Sequence, residues 1–258
     1  MKFNPGFSIS ILRNPMDFCY GEGVYGPPVE RRTLDSIRGS LLDPACNGPK
    51  EVYCIAMDVG LEEDRQDLIS RNLLYGVVTY ASGKLGQEPV RSQGHIHAVS
   101  PSCNASTCEV YEIWEGHAII YMQPKGGDNP GRCFAVHADP GEVVIVPPGW
   151  VHATVNADPQ QAMTFGAWCV RDYGFDYTDV RRHGGIAFFP VFEGEKLIWK
   201  PNSRYAGGTL EEVKPHVYTE FGMEAGVPIY AQYRHHPTRF AFVTNPQAFQ
   251  RLWNSFLP

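Results

Sequence analysis

GEVVIVPPGWVHATVN, residues 141–156, holds two β-rich runs separated by a turn of proline and glycine. Valine and isoleucine dominate the first run, and Pro147, Pro148 and Gly149 end it, because these residues favour turns over the interior of a sheet. The second run begins by presenting His152. The stretch therefore predicts a strand, a turn and a second strand that places an imidazole near its start.

Short β-rich runs of the same kind recur along the chain from Glu51 onward. Glycine, proline, asparagine and aspartate separate them, which is typical of antiparallel strands in a barrel or sandwich. Besides EVVIVP, the runs are VYCIAMDV, LLYGVVTYA, EVYEIWE, HAIIYMQ, CFAVHA and AMTFGAWCV. Because the 26 glycines and 21 prolines are spread over the 258 residues rather than pooled, we predict an all-β fold.

The pattern divides the chain into three predicted segments. Residues 1–50 form a lead-in that packs on the barrel, with a turn-rich extended stretch, YGEGVYGPP, and a short amphipathic helix, RTLDSIRGSLLD. Residues 51–205 form the barrel, and residues 206–258 form a C-terminal helical extension. Within NPQAFQRLW of that extension, Asn245 can cap a helix and Pro246 suits its first position.

Charge and hydropathy restrict the partners. The formal net charge of −6 argues against a basic face for nucleic acid or an anionic membrane. No apolar run approaches the ~20 residues that cross a bilayer, and the start, MKFNPGFSIS, is too polar for a signal peptide. We therefore expect a cytoplasmic protein that acts on a small molecule, without nucleic-acid or membrane partners.

The seven cysteines are an odd number and include no C-x-x-C pair. This pattern argues against both a disulfide framework and a thiolate zinc site. Cys103 and Cys108 could pair across a polar loop, but an intracellular setting favours free thiols.

Two further stretches supply metal-ligand side chains. In GHIH, His95 and His97 are two apart in a strand-like context, so both point to the same face. In EVYEIWEG, the same alternation places Glu109 with Tyr111 and turns Glu112 to the opposite face. Glu109 is therefore the preferred carboxylate ligand.

Together with His152, these residues predict one divalent metal site. Three imidazoles and a carboxylate suit Fe, Mn, Zn or Ni, and they leave one or two coordination positions for water or substrate oxygens. Open positions favour a catalytic role for the ion.

The spacing resembles the two motifs of the cupin superfamily. E-x6-G begins at Glu109 and G-x5-P-x-G-x2-H-x3-N begins at Gly141. The first motif departs from the usual pattern, because eleven residues separate His97 from Glu109 and PSCNASTC must loop out. The resemblance implies a cupin, a double-stranded β-helix or jelly-roll barrel.

Over about residues 50–205 the chain resembles the cupin-type phosphoglucose isomerases. GHIH, EVYEIWEGHAIIYMQ, GEVVIVPPGWVHATVN and DYGFDY carry this resemblance. It implies a homodimer with one divalent ion per subunit, held by the residues already named, that interconverts glucose 6-phosphate and fructose 6-phosphate. It also implies that Tyr53, Ser92 and Gly94 bind the phosphate of the phosphosugar substrate. The positions that depart from the family pattern around the substrate are Val78, Gln93, Cys169 and Phe175.

The mechanism stays open at this level. Aldose-ketose isomerisation moves a proton between C1 and C2, and Glu109 is the candidate carrier, although a carboxylate bound to metal is a weaker base. In the competing hydride shift, Glu109 only tunes the ion. Tyr111 either orients or protonates a substrate oxygen, or belongs to the barrel core.

Four functions are compatible with these residues. Glucose-6-phosphate isomerase is the leading one. A metal-dependent isomerase or epimerase acting on a different sugar would explain the departures around the substrate. A non-catalytic sugar-binding cupin and an iron oxygenase use similar barrels or ligand sets.

Overall fold

The computed structural model describes residues 3–258, which form two large β-sheets, five two-stranded sheets and short helices around them. The strands are β1 (Ile9–Arg13), β2 (Met16–Tyr20), β3 (Val24–Tyr25), β4 (Glu30–Thr33), β5 (Glu51–Met57), β6 (Gly60–Leu61), β7 (Leu73–Tyr80), β8 (Lys84–Leu85), β9 (Glu88–Pro89), β10 (Ile96–His97), β11 (Glu109–Glu115), β12 (Ala118–Gln123), β13 (Arg132–Ala138), β14 (Val143–Val146), β15 (Val151–Asn156), β16 (Met163–Val170), β17 (Phe175–Asp176), β18 (Phe188–Glu193), β19 (Lys196–Pro201) and β20 (Thr209–Val213). The helices are α1 (Leu34–Ile37), α2 (Arg65–Ser70), α3 (Thr178–Arg182), α4 (Ile229–His235), α5 (Ala241–Thr244) and α6 (Gln250–Asn254).

The barrel is built from one six-stranded and one four-stranded sheet. The larger sheet has the strand order β14-β11-β16-β7-β5-β4 and the smaller one β15-β12-β13-β20. Every neighbouring pair is antiparallel except β13 with β20, which run parallel. Side chains from both sheets fill the space between them, for example Tyr111 and Phe165 from the larger sheet and Ile120 and Val136 from the smaller.

The larger sheet is buried on both faces. Alternation along β11 sends Tyr111 and Ile113 into the barrel, whereas Val110 and Trp114 enter a second core on the outer face. The hairpin β1–β2 and the C-terminal helices supply the other half of this outer core. Residues on either side of the barrel sequence therefore cover a sheet face that would otherwise expose tryptophan and tyrosine rings.

The predicted all-β barrel is confirmed. Each of the seven β-rich runs contains a strand whose ends lie within two residues of those predicted. All seven cysteines are free thiols. None of the described helices has the length and hydrophobicity needed to span a bilayer.

The regions outside the barrel differ in detail from the prediction. The helix expected in RTLDSIRGSLLD is a single turn, α1, followed by a 3-10 turn at Arg38–Ser40. The helix expected in NPQAFQRLW is split into a 3-10 turn at Pro246–Phe249 and α6. Pro246 takes the first position as predicted, but the Asn245 side chain makes no capping hydrogen bond. The β1–β2 and β18–β19 hairpins and β20 carry no strong alternation and were not predicted. The division at residues 50 and 205 stays a prediction.

Gly166 tests how closely the outer core is packed. A Cβ atom there would lie 2.1 Å from the Tyr75 hydroxyl oxygen and 2.6 Å from Cζ2 of Trp114. Both side chains are fully buried, so we expect Gly166→Ala to lower the free energy of unfolding by roughly 1–3 kcal/mol, measured by urea denaturation. Gly127→Ala is the matched control, because no heavy atom lies within 4 Å of its added Cβ. Equal stability of the two variants would contradict the packing described.

Candidate metal centre

Four side chains from three separate stretches meet inside the barrel. His95 and His97 lie at β10, Glu109 begins β11, and His152 is the second residue of β15. Their donor atoms all lie within 4.8 Å of one another. Within PSCNASTC, residues 101–104 form a turn that is closed by the bridge between Ser100 and Ala105, so the long spacing between His97 and Glu109 is accommodated without separating them.

The backbone around Gly94 explains how the two histidines reach this point. Gly94 has a φ of +92°, which glycine adopts readily, and a Cβ would lie 2.7 Å from Ile186. The chain then pairs His95 with His152 in both directions, with N···O distances of 3.1 and 2.9 Å. This bridge sets the two imidazole rings 4.3 Å apart between centroids.

Two of the imidazoles are oriented by backbone carbonyls. Nδ1 of His97 lies 3.2 Å from the Thr107 oxygen, and Nδ1 of His152 lies 3.1 Å from the Trp150 oxygen. An Nδ1–H that donates to these carbonyls leaves the Nε2 lone pair facing the cluster. Metal-binding histidines in proteins are held in the same way.

His95 supplies the clearest sign that the group fits a cation. Its Nε2 is buried and has no hydrogen-bond partner among residues 3–258. Burial, and then the neighbouring imidazoles of His152 and His97, lower the pKa of His95 well below its ordinary value, so the ring is neutral. A buried lone pair without a partner costs free energy, and a borderline divalent ion satisfies it. The four residues could hold one metal ion.

Glu109 provides the negative charge of the cluster. Burial alone raises its pKa, but the adjacent imidazoles of His152 and His97 outweigh burial and hold the pKa well below its usual range. Its Oε2 lies 3.1 Å from Nε2 of His152 and 3.3 Å from Nε2 of His97. The carboxylate is therefore ionised while it is largely buried.

Two further side chains contact the Glu109 carboxylate. The Tyr111 hydroxyl donates to Oε2 at 2.7 Å, and the Cys169 thiol donates to Oε1 at 3.5 Å. Burial, and then the adjacent Glu109 charge, raise the pKa of Tyr111 well above its ordinary value, so its hydroxyl stays protonated. Glu112 points to the outer face, where it accepts a hydrogen bond from the Ile229 N–H at 2.8 Å.

A cavity opens beside the cluster and contains several residues singled out in the sequence. Tyr53 and Ser92 line it, as do three of the four positions that depart from the family pattern, Val78, Cys169 and Phe175. Gln93 lies behind the wall and accepts a hydrogen bond from Arg181. The phosphate-binding role of Tyr53, Ser92 and Gly94 stays a prediction.

Other lining residues were not identified from the sequence. Thr154 and Tyr80 line the cavity next to Ser92, and Tyr177 forms part of its wall. Thr154 carried a usable signal, because it follows His152 by two residues in one strand and so shares its face. Tyr80 and Tyr177 enter the cavity through sheet pairing and loop placement, for which the sequence contains no local motif.

Comparison with known proteins gives matches over the barrel. The family model described as glucose-6-phosphate isomerase matches residues 45–206, more than half of the chain. The glucose-6-phosphate isomerase of Thermococcus gammatolerans is 30% identical over 156 residues, which cover 60% of this chain and 72% of that protein. The enzyme of the same name from Thermococcus onnurineus is 31% identical over 155 residues, 59% of this chain and 75% of that protein.

Proposed function

Since the chain belongs to the glucose-6-phosphate isomerase family and is an isomerase, we propose that it is metal-dependent and interconverts glucose 6-phosphate and fructose 6-phosphate. The observation that carries the proposal is the buried group of His95, His97, Glu109 and His152 beside a cavity. We propose these four as the metal ligands, for one Fe, Zn, Mn or Ni ion per subunit. A divalent ion bound there supplies the positive charge that polarises a sugar carbonyl.

The two carboxylate oxygens of Glu109 make different contacts. Oε2 faces both imidazoles and accepts the Tyr111 hydroxyl, so it is held in place. Among residues 3–258, Oε1 has only the long contact with the Cys169 thiol. We infer that Oε1 accepts the proton from one sugar carbon and returns it to the other, because a general base must reach the proton it moves.

Tyr111 holds the carboxylate in this orientation. Its hydroxyl is a donor at neutral pH, and its contact with Oε2 leaves Oε1 free to turn toward the substrate. Its role is therefore to position Glu109. In the alternative hydride shift, Glu109 and Tyr111 together adjust only the charge around the ion.

We assign the phosphate to the side of the cavity lined by Tyr53 and Ser92, with Gly94 next to the lining residue His95. Ser92 Oγ accepts the Thr154 N–H at 3.0 Å, which leaves its own proton available for a phosphate oxygen. Val78, Cys169 and Phe175 add apolar surface nearby, so a different sugar is the second candidate function. A non-catalytic sugar-binding role and oxygen chemistry are the remaining alternatives.

The oligomeric state and the segment boundaries that we propose follow from the family resemblance. We propose a homodimer in the cytoplasm, with residues 51–205 as the catalytic barrel and residues 1–50 and 206–258 as additions to it. The C-terminal helices support this division, since they pack on the outer face of the larger sheet and contribute no residue to the cavity lining.

A substrate panel tests the proposal. We expect purified protein to convert glucose 6-phosphate to its ketose, to act poorly on free glucose, and to lose activity with a chelator and regain it with a divalent ion. The same rate with phosphorylated and free sugars would overturn glucose 6-phosphate as the substrate. Turnover that requires oxygen would point to an oxygenase, and ligand affinity that is independent of metal, without turnover, would point to a binding protein.

A further inference from the structure

We propose that Arg32 and Arg181 form the cationic end of the cavity and bind the phosphate of the substrate, which we call the arginine rim. This inference rests on the proposed function, because it names how the same cavity selects a phosphorylated sugar. Arg32 lies in β4, outside the residues that the family model matches. It would be a specificity residue contributed by the lead-in segment.

The lining of the cavity lacks positive charge for a phosphate. Within the described part of the chain, no lysine or arginine lines it, and the two imidazoles that do, His95 and His97, belong to the metal-ligand group. A phosphate monoester carries a charge of about −1.5 to −2 at neutral pH. Hydroxyl and backbone donors alone leave that charge uncompensated, so a nearby guanidinium matters most for affinity.

Strand pairing places Arg32 beside Tyr53, a residue of the cavity wall. Arg32 of β4 is the direct partner of Tyr53 in β5, so both side chains lie on the same face of the sheet. Burial and then the neighbouring Tyr177 raise the pKa of Tyr53, and the charge of Arg32 opposes this shift. The guanidinium therefore lies next to a hydroxyl of the wall.

Arg181 contacts Tyr177, another residue that lines the cavity. Its Cζ lies 4.6 Å from the centre of the Tyr177 ring, and its Nε donates to Oε1 of Gln93 at 3.3 Å. Burial raises the pKa of Tyr177, whereas Arg32 and then Arg181 lower it by their charges. Both guanidinium groups therefore lie near one tyrosine that lines the cavity.

Both arginines retain donors for a ligand. Arg32 pairs with Glu30 at 2.9 Å, but Glu30 is 59% exposed, so this pair is weak and engages one end of the guanidinium. A guanidinium has five N–H donors in a planar fork that matches phosphate oxygens. The rim can therefore bind a phosphate dianion without breaking a buried ion pair.

The experiment compares Arg32→Gln and Arg181→Gln with matched controls. For Arg32 the control is Arg31→Gln, because Arg31 is next to it in β4 and pairs instead with Asp17 and Glu51. For Arg181 the control is Arg182→Gln, which pairs with Asp128 and Asp179. The measurements are KM and kcat for glucose 6-phosphate, bound metal, melting temperature and the dissociation constant for inorganic phosphate.

We expect each rim variant to raise KM for glucose 6-phosphate roughly tenfold or more, with the loss mainly in KM and bound metal unchanged, since hydrogen bonds to charged groups are the strong ones. Arg32→Lys should recover part of the loss because it keeps the charge. An unchanged KM in Arg32→Gln, or an equal rise in Arg31→Gln, would overturn the inference.

Phosphate binding separates this inference from the proposed function. If the protein does not isomerise glucose 6-phosphate but binds inorganic phosphate, and Arg32→Gln weakens that binding, the result supports the arginine rim and contradicts the proposed function. If the protein is active but phosphate affinity is the same in all variants, the rim falls and the function stands.

Discussion

Substituting His97 by alanine is expected to remove the bound metal and to lower isomerase turnover by roughly 1000-fold or more, because a Lewis acid contributes several kcal/mol to such a transition state. His97 is 3% exposed, so water does not readily take the place of the imidazole that the substitution removes. It also leaves the Thr107 carbonyl without the imidazole contact. Metal analysis per subunit and steady-state rates with glucose 6-phosphate measure both effects.

A surface histidine is the control for this variant. His137 lies on β13 outside the metal-ligand group, and its Nε2 pairs with Glu212 at 2.8 Å. We expect His137→Ala to keep its metal and its turnover. Full metal content and full activity in His97→Ala would refute the assignment of the metal centre.

Glu109→Gln distinguishes proton transfer by Glu109 from a hydride shift. The amide keeps the shape of the side chain but cannot serve as a base, so turnover should fall by about 10²–10⁴-fold if Glu109 carries the proton. The three imidazoles remain, and bound metal should persist. Bound metal with lost isomerisation assigns the proton to Glu109, whereas near-normal turnover would exclude it as the base.

Glu112 is expected to make the protein less stable as the pH rises. This carboxyl is 1% exposed, and burial raises its pKa to about 8, with hydrogen bonds from Ile229 and Trp114 opposing the shift. The folded-state pKa is higher than that of the unfolded chain, so the stability contribution is complete below about pH 4.5 and is lost as the pH rises through about 8. The total loss is on the order of 5 kcal/mol.

Glu112→Gln should remove this pH dependence. A neutral amide can still accept the Ile229 N–H, although its own N–H₂ then faces the Trp114 N–H, at a cost of about 1 kcal/mol. We expect the variant to be less stable than the wild type near pH 5 and more stable near pH 8.5, measured by denaturation at both values. Glu195→Gln, in an exposed turn, controls for the loss of one charge. Parallel pH profiles for Glu112→Gln and wild type would disprove a buried, protonated Glu112.

Alternation along single strands was sufficient to predict much of the site. His95 with His97, and Glu109 with Tyr111, follow from the two-residue period of a strand, and the same period separates Glu112 from them. The strand predicted after the turn that follows EVVIVP is present and carries His152. These features are local, so each is decided by a few neighbouring residues.

Residues outside the barrel motifs were harder to place. The β1–β2 hairpin and β20 have weak alternation, and their strands form because a sheet face or edge is available to them. The C-terminal helices are short, between four and seven residues, so they depend on packing rather than on helix propensity. Composition predicted helices there but not their ends.

The fold class, the main strands and the sets of side chains that share a face could be predicted from residue types, because burial on a pleated sheet imposes a two-residue period. The contacts of Arg32 with Tyr53, of Arg181 with Tyr177 and of Glu112 with Ile229 depend on how distant segments pack and could not be predicted. Those contacts join residues 21 to 117 positions apart or depend on loop placement, and no local pattern records which distant segment will pack against a given face.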